Sequence, residues 1–220
     1  MSVSQNAGGL EALKPRLKQI TFTIIAVMAL YVLYHNERFW LDSAHPGWPH
    51  YNAFGWWLLP HSLAGLMVLA LAPMQFSNRL RRQHLTLHRI CGGTYVAGVL
   101  ILGPVGVYMQ VIDQASGGPA SFVWETVIQS GLLIITTLLG LYYGLQRNLT
   151  RHRQWMVRSY AIALTFLEIR VILGVTGWDG PPMDWYVLET TVWTCTALSL
   201  LVGDIANQLY EWSSTRPRRA

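Results

Sequence analysis

Two histidines of this chain stand in the same short pattern, Leu-Thr-x-His-Arg, just ahead of a long apolar run. The first pattern contains His88 and Arg89, and the second contains His152 and Arg153. Imidazole carries protons near neutral pH and serves as an axial ligand of haem iron, whereas guanidinium groups bind carboxylates and phosphates. The pair of patterns therefore favours either one shared cofactor or two equivalent anion sites.

The spacing of the two patterns indicates an internal repeat. His88 and His152 are 64 residues apart, and the same step relates the apolar segments that precede them. The predicted unit is a hairpin of two helices, used once over residues 54–111 and again over residues 122–175. Such a repeat brings the two His-Arg pairs to the same edge of a membrane.

Composition places the chain among multi-span membrane proteins. Its residues are 52% hydrophobic and 12% charged, and the apolar residues form blocks close to the roughly 20 residues that cross a bilayer core. We predict an all-α integral membrane protein with six transmembrane helices, the middle four forming the two repeated hairpins. The predicted spans are residues 18–34, 54–76, 90–111, 122–145, 156–175 and 185–209.

The placement of lysine and arginine predicts the orientation, because cytoplasmic loops retain positive charge. Of the 16 Lys and Arg residues, 14 lie in alternate segments. Both termini are therefore predicted to be cytoplasmic, with a cytoplasmic segment 1–17, one transmembrane domain 18–209 and a basic tail 210–220. The basic charge reflects this topology and contact with anionic membrane lipids, so no nucleic-acid partner is predicted.

The longest predicted external loop, residues 35–53, is rich in tryptophan and tyrosine and contains His35, His45 and His50. An aromatic belt at the level of the lipid headgroups is the favoured interpretation. A lid or a metal site on the outer face is the alternative. Three irregularly spaced histidines are weak evidence for a ligand set, and no metal site is predicted from them.

Arg170 is predicted to lie inside the hydrocarbon, where an unpaired guanidinium costs at least about 2.5 kcal/mol. Glu189 and Glu125 are predicted at a similar depth, whereas Glu168 points to nearly the opposite side of its own helix. The charges form either a structural ion pair or a substrate or proton site. His61, inside the second span, is either a packing residue or a proton carrier or ligand.

Several of these residues also carry a family resemblance. They lie in the stretches His61-x-x-x-Gly65, Ala72-Pro73-Met74-Gln75-Phe76, His88-Arg89-x-x-Gly92-x-x-Tyr95 and His152-Arg153-x-Trp155-Met156-x-Arg158-Ser159-Tyr160-Ala161, with Arg170 beyond. Over about residues 54–175 the chain resembles the bacterial membrane-protein family catalogued as domain of unknown function 2306. The resemblance implies a multi-span helical membrane protein and no established activity. Together with the charge pattern, it predicts a bacterial cytoplasmic membrane.

One hypothesis for the function is redox-linked. His88 and His152 would ligate one b-type haem near the cytoplasmic side, with Arg89 and Arg153 near its propionates. Small residues on the same helical face as His88, such as Gly92, would give either a flat cofactor or a neighbouring helix room to approach. Electron exchange with a quinone or a membrane oxidoreductase complex would follow.

The other hypothesis is non-redox. The His-Arg pairs would hold lipid headgroups, and a buried cluster of Arg170, Glu189, Glu125 and His61 would serve an accessory, lipid-binding or small transport protein. The sequence contains no phosphate-binding loop, zinc-binding His-Glu-x-x-His or Ser-His-Asp constellation, which disfavours a standard hydrolase or an ATP-driven machine. Whether the protein is an enzyme stays open.

Overall fold

The computed structural model describes residues 3–35, 44, 55–115, 118–178 and 184–215, with side chains described between residues 16 and 212. Regular structure in these ranges is helical: α1 (Val3–His35), α2 (Gly55–Gln75), α3 (Asn78–Gln83), α4 (Leu85–Ala115), α5 (Ala120–Leu145), α6 (Leu149–Thr176) and α7 (Trp185–Thr215). All but α3 are long and apolar enough to cross a membrane. The prediction of an all-α integral membrane protein with six spans is confirmed.

Three of the helices, α1, α4 and α6, begin well before their predicted spans. Backbone groups in hydrocarbon must be satisfied within their own segment, which makes each apolar block a helix. Capping then extends α6 into the polar region, because the Asn148 side chain accepts a hydrogen bond from the Arg151 N–H at 3.2 Å. As a result α6 starts at Leu149. α4 starts at Leu85, and both predicted histidines lie within helices.

Four helices form the centre of the bundle. α2 packs along α4, α4 along α5, and α5 along α6, while α6 and α2 meet over a shorter stretch. α4 and α6 are therefore diagonal to each other across the bundle. α7 packs against α6 and α5, and α1 packs against α6. We call the end at which α4 and α6 begin the basic end, after Arg79, Arg81, Arg82, Arg147 and Arg151, and the opposite end the far end.

Glycines of α4 are used for close helix packing. A Cβ at Gly98 would lie 3.0 Å from Cγ2 of Val68 on α2, and one at Gly103 would lie 2.9 Å from Cδ1 of Ile134 on α5. Side chains of both neighbouring helices thus occupy the room that the missing Cβ atoms leave. Gly103 lies on the small-residue face that the sequence places around His88, and its contact is that of helix packing.

The two central hairpins differ in their backbones. Pro60 and Pro73 lie inside α2 and Pro104 lies inside α4, whereas the sequences of α5 and α6 contain no proline. Three residues, 146–148, connect α5 to α6, and Arg147 among them has a positive φ of 58°. A side chain in this left-handed region costs roughly 1 kcal/mol, so the tight reversal is held by its surroundings.

Large apolar side chains cover the outer surface of the bundle. Leu66, Ile135 and Leu201 are more than half exposed, and much of α1 is exposed as well. An apolar surface of this kind is stable in the hydrocarbon core of a bilayer, where it contacts membrane lipids.

Candidate functional site

The basic end of the bundle holds both predicted His-Arg pairs. His88 and His152 are each the fourth residue of their helices, α4 and α6, and both side chains are half-buried. Although these helices are diagonal, the two imidazoles lie within electrostatic range of each other. The structure therefore brings together the two histidines that the sequence pattern singled out.

His152 has a fixed orientation. Its Nδ1 atom lies 2.7 Å from the carbonyl oxygen of Gly140 on α5. The ring rests on Gly144, where a Cβ would come within 2.9 Å of Nδ1. A ring nitrogen hydrogen-bonded to a carbonyl oxygen carries the proton and donates it, which leaves Nε2 as an acceptor or a ligand atom.

His88 differs in this respect. Its Nδ1 atom is buried and has no hydrogen-bond partner among the described residues, and the same holds for Nε2 of Gln75 on α2. Gln75 packs against α4 one turn beyond His88, since a Cβ at Gly92 would lie 3.4 Å from the Gln75 Oε1 atom. Two polar atoms without partners thus lie along the α2–α4 contact near the basic end.

The arginines that follow the two histidines have different surroundings. Arg89 is exposed and within electrostatic range of His88. The Arg153 guanidinium lies 3.2 Å from the centre of the Tyr210 ring on α7, a cation–π contact. Arg81 of α3 is within electrostatic range of both His88 and Arg153. Sequence reasoning missed Arg81 as a neighbour of the histidines, because α3 was not predicted.

A buried hydrogen-bonded chain crosses the centre of the bundle two turns deeper. The hydroxyl of Tyr95 on α4 lies 2.7 Å from Oγ of Ser159 on α6. That Oγ atom lies 2.6 Å from Oγ1 of Thr137 on α5. All three side chains are fully buried. Tyr95 and Ser159 both belong to the motif stretches of the sequence, but nothing in those stretches indicated that their hydroxyl groups bond to each other.

His61 lies in the far half of the bundle, on α2. A Cβ at Gly106 of α4 would be 3.1 Å from its Cε1 atom, so the imidazole fills the place of a missing side chain. Its Nδ1 atom is buried without a partner among the described residues. Arg170 lies within electrostatic range. The structure thus separates His61 from the pair at the basic end.

Arg170 forms no ion pair with a carboxylate of the described residues, unlike Arg158, which pairs with Asp204. Its guanidinium instead lies 5.5 Å from the centre of the Phe166 ring on the same helix. The predicted partners Glu125 and Glu189 are not within ion-pair distance of the Arg170 guanidinium. Depth alone suggested them, whereas the direction of each side chain around its helix decides which groups meet.

The three glutamates considered as neighbours of Arg170 in the sequence, Glu125, Glu168 and Glu189, lie along α7. Glu125 is 1% exposed, and its Oε1 atom has no partner in the described residues. It is within electrostatic range of Glu189, which accepts a hydrogen bond from Ser121 at 2.9 Å. Glu168 accepts one from Ser199 of α7 at 2.8 Å. The structure therefore brings Glu125 and Glu189 together and places Glu168 further along the same interface.

The external loop 35–53 lies mostly outside the described residues, and its His45 and His50 with it. In the parts of the chain that are described, there is no group of three or more His, Cys, Asp and Glu side chains able to hold a metal ion.

The fold and the site together define a multi-span helical membrane protein with a histidine pair at the basic end of its central bundle. The model of a family described as predicted membrane protein (DUF2306) matches residues 58–206, which is more than half of the chain. The chain belongs to this family, as its sequence motifs indicated. Neither a curated protein nor a solved structure matches it.

Proposed function

We propose that this protein is a redox-linked membrane protein that holds a b-type haem between His88 and His152. The proposal rests on the hydrogen bonding of the two imidazole rings at the basic end. His152 donates from Nδ1 to the Gly140 carbonyl, and this leaves Nε2 available for iron. Haem and metal ligands are commonly oriented by such a second bond.

His88 supports the same interpretation from the other side. Its buried Nδ1 atom has no partner among the described residues and so loses the hydrogen bond that it would make in water. A buried polar atom of this kind calls for an explanation, and binding of a ligand by the ring is one. The two helices are diagonal across the bundle, so His88 and His152 would hold one group between them. The Tyr95–Ser159 bond closes the bundle centre and confines such a group to the basic end.

Two protein ligands suffice for a haem, because the porphyrin supplies four nitrogen atoms to the iron. The lack of a larger metal-binding group within the described ranges is therefore compatible with the proposal. When bound, the haem would supply one-electron chemistry. Arg81 and Arg89 are the basic groups in electrostatic range of His88, and they are suited to its propionates. Arg153 contributes less, since its guanidinium rests on Tyr210.

The proposal extends to orientation and partners. Since the basic end carries the arginines of two connecting segments, we infer that it faces the cytoplasm of a bacterial cell and that both termini lie on that side. The electron partner would be either a quinone or a membrane oxidoreductase complex. A haem at the edge of a membrane domain can exchange electrons with both.

The test is an ultraviolet-visible spectrum of the full chain, purified in mild detergent from haem-sufficient cells, as isolated and after dithionite reduction. We expect a Soret band, a sharpened α-band on reduction and close to one haem per chain. His88→Ala and His152→Ala should each lose most of the colour. His84→Ala is the matched control, because His84 is exposed in the same region, and it should keep full haem content.

A colourless wild-type protein would contradict the proposal, and so would full colour in both His88→Ala and His152→Ala. The non-redox alternative, an accessory, lipid-binding or small transport protein, would then be favoured. Native mass spectrometry for retained lipid or quinone would be the next measurement.

A further inference from the structure

α7 presents polar side chains to α6 and α5 along its whole length. Near the basic end, Gln154 of α6 donates a hydrogen bond to Glu211. About two turns further in, Nε of Arg158 lies 2.6 Å from Oδ1 of Asp204. We call the interface of α7 with α5 and α6, between Glu189 and Glu211, the polar seam.

The polar contacts continue into the far half. The Ser199 hydroxyl donates to Glu168 of α6 at 2.8 Å, and Nε2 of Gln129 on α5 donates to the Thr196 hydroxyl at 3.1 Å. The hydrogen bond from Ser121 to Glu189 is the last of these contacts, at the far end of the polar seam. Rows of polar groups across hydrocarbon are costly, and those that persist are commonly functional.

Three buried oxygen atoms on the polar seam have no hydrogen-bond partner among the described residues: Asn207 Oδ1, Thr165 Oγ1 and Glu125 Oε1. Asn207 lies in the basic half, since its amide donates to the Gln154 carbonyl at 3.1 Å. Thr165 is fully buried. It lies seven residues after Arg158 and three before Glu168, and therefore on the same face of α6 as both. Glu125 lies in the far half, beside Glu189.

These three oxygen atoms lie at different depths along the polar seam. From Glu211 to Glu189, α7 rises about 33 Å at roughly 1.5 Å per residue, close to the ~30 Å of the hydrocarbon core. The three oxygens are spread through that length and separated by hydroxyl and carboxyl groups. Inside a bilayer, a buried oxygen without a protein partner is satisfied most cheaply by a bound water molecule.

From these observations we infer that the polar seam is a proton path across the bilayer, built from water at the three open oxygens and from the carboxyl and hydroxyl groups between them. The proton enters from water at one end and leaves to water at the other, down its electrochemical gradient. Each water molecule or hydroxyl group accepts a proton on its oxygen and releases another from the same oxygen, and each carboxyl group accepts one on one oxygen and releases one from the other. The groups then turn back to their first orientation, so none is changed after a passage and no co-reactant is needed.

The packing of the polar seam favours protons over other ions. A Cβ at Gly203 of α7 would lie 3.2 Å from Cβ of Ala161 on α6, so the helices are in contact and leave no passage for a hydrated ion. A proton moves along hydrogen bonds and needs no such passage. The positive charge of Arg158 is balanced by Asp204 and does not stand alone in the path.

The test is proton flux into liposomes of phosphatidylcholine and phosphatidylglycerol that contain the purified full chain. A potassium gradient with valinomycin supplies the driving potential, and an internal pH dye reports the flux. We expect the wild type to exceed protein-free liposomes and Glu125→Gln to lower the added flux at least ten-fold, since the amide keeps the shape and cannot carry the proton. No redox partner is required, so the outcome is independent of haem binding.

A second set of variants covers the case in which Glu125→Gln does not fold, as judged by size-exclusion chromatography. Thr165→Val removes the hydroxyl at constant shape and should lower the flux several-fold, while Thr165→Ser should retain it. Thr94→Val is the matched control, because the Thr94 hydroxyl bonds to the Ile90 carbonyl of its own helix on α4. Wild-type flux no higher than that of protein-free liposomes overturns the inference, as does unchanged flux in a folded Glu125→Gln or in Thr165→Val.

Discussion

The hairpins α2–α4 and α5–α6 each bring a histidine to the basic end, but they hold it in different ways. In the second hairpin the His152 ring is bonded to the Gly140 carbonyl within the hairpin itself. In the first, the carbonyl at the position 64 residues earlier, that of Phe76, accepts a hydrogen bond from Lys18 of α1 at 2.6 Å. His88 keeps a buried nitrogen without a partner in the described chain.

The backbones of the two hairpins differ in the same sense. The three helix prolines, Pro60, Pro73 and Pro104, all lie in the first hairpin, and each removes a backbone N–H from its helix. The second hairpin has an uninterrupted backbone ladder and a three-residue turn. One half thus orients its histidine by a bond within the hairpin, whereas the other gives the matching carbonyl to Lys18 of α1.

The largest expected effect concerns the bond that joins the halves. Tyr95→Ala removes a fully buried ring and its link to Ser159, and we expect a loss of about 3 kcal/mol in the free energy of unfolding. Tyr108→Ala, on the same helix but 46% exposed, is the control and should cost much less. Denaturation in mixed micelles, followed by tryptophan fluorescence, measures both. Equal losses would mean that the buried chain does not hold the hairpins together.

A smaller effect tests the orientation of the histidine in the second hairpin. Gly144→Ala forces a Cβ to within 2.9 Å of the His152 Nδ1 atom, and we expect it to displace the ring and to cost roughly 1–3 kcal/mol. Gly131 on the same helix has nothing within 4 Å of a built Cβ, so Gly131→Ala should cause no loss. Nitrogen NMR of labelled histidine should show the change at His152 in Gly144→Ala alone. An unchanged His152 signal would mean that the second hairpin does not fix the ring.

The smallest effect tests the dependence of the first hairpin on α1. Lys18→Met removes the donor to the Phe76 carbonyl, and we expect a loss of about 1 kcal/mol. Lys18→Arg keeps a donor of similar reach and should recover most of it. The midpoint of thermal unfolding of the full chain is the measurement. If the arginine variant is as unstable as the methionine variant, the bond from α1 contributes little.

Much of the fold could be predicted, because the membrane makes long apolar runs into helices and leaves little choice of length. The spans at 54–76 and 122–145 agree with α2 and α5 within two residues. The starts of α4 and α6 were less predictable, since both helices extend beyond the apolar run into polar sequence, α6 with the help of its Asn148 cap. That the two hairpins repeat one unit stays a prediction, although α4 and α6 start at Leu85 and Leu149, the same 64 residues apart.

The site was only partly predictable. The repeated His-Arg pattern found the two histidines that lie within range of each other. It did not show that His61 fills the space at Gly106, because that contact depends on the rotation of α2 against α4. The contact of Arg170 with Phe166 lies within one turn of α6 and follows from helix geometry. Residues of the polar seam such as Asp204 were passed over, since one acidic residue within an apolar run says little until its neighbour across the interface is known.

The tight reversal at Arg147 also bears on how the protein is made. Three residues span at most about 10 Å when fully extended, so α6 can never be far from the end of α5. We therefore expect the two helices to enter the bilayer together during synthesis, as one hairpin. The wider connection from α2 to α4 imposes no such coupling, so that first pair can be inserted one helix at a time and joined afterwards.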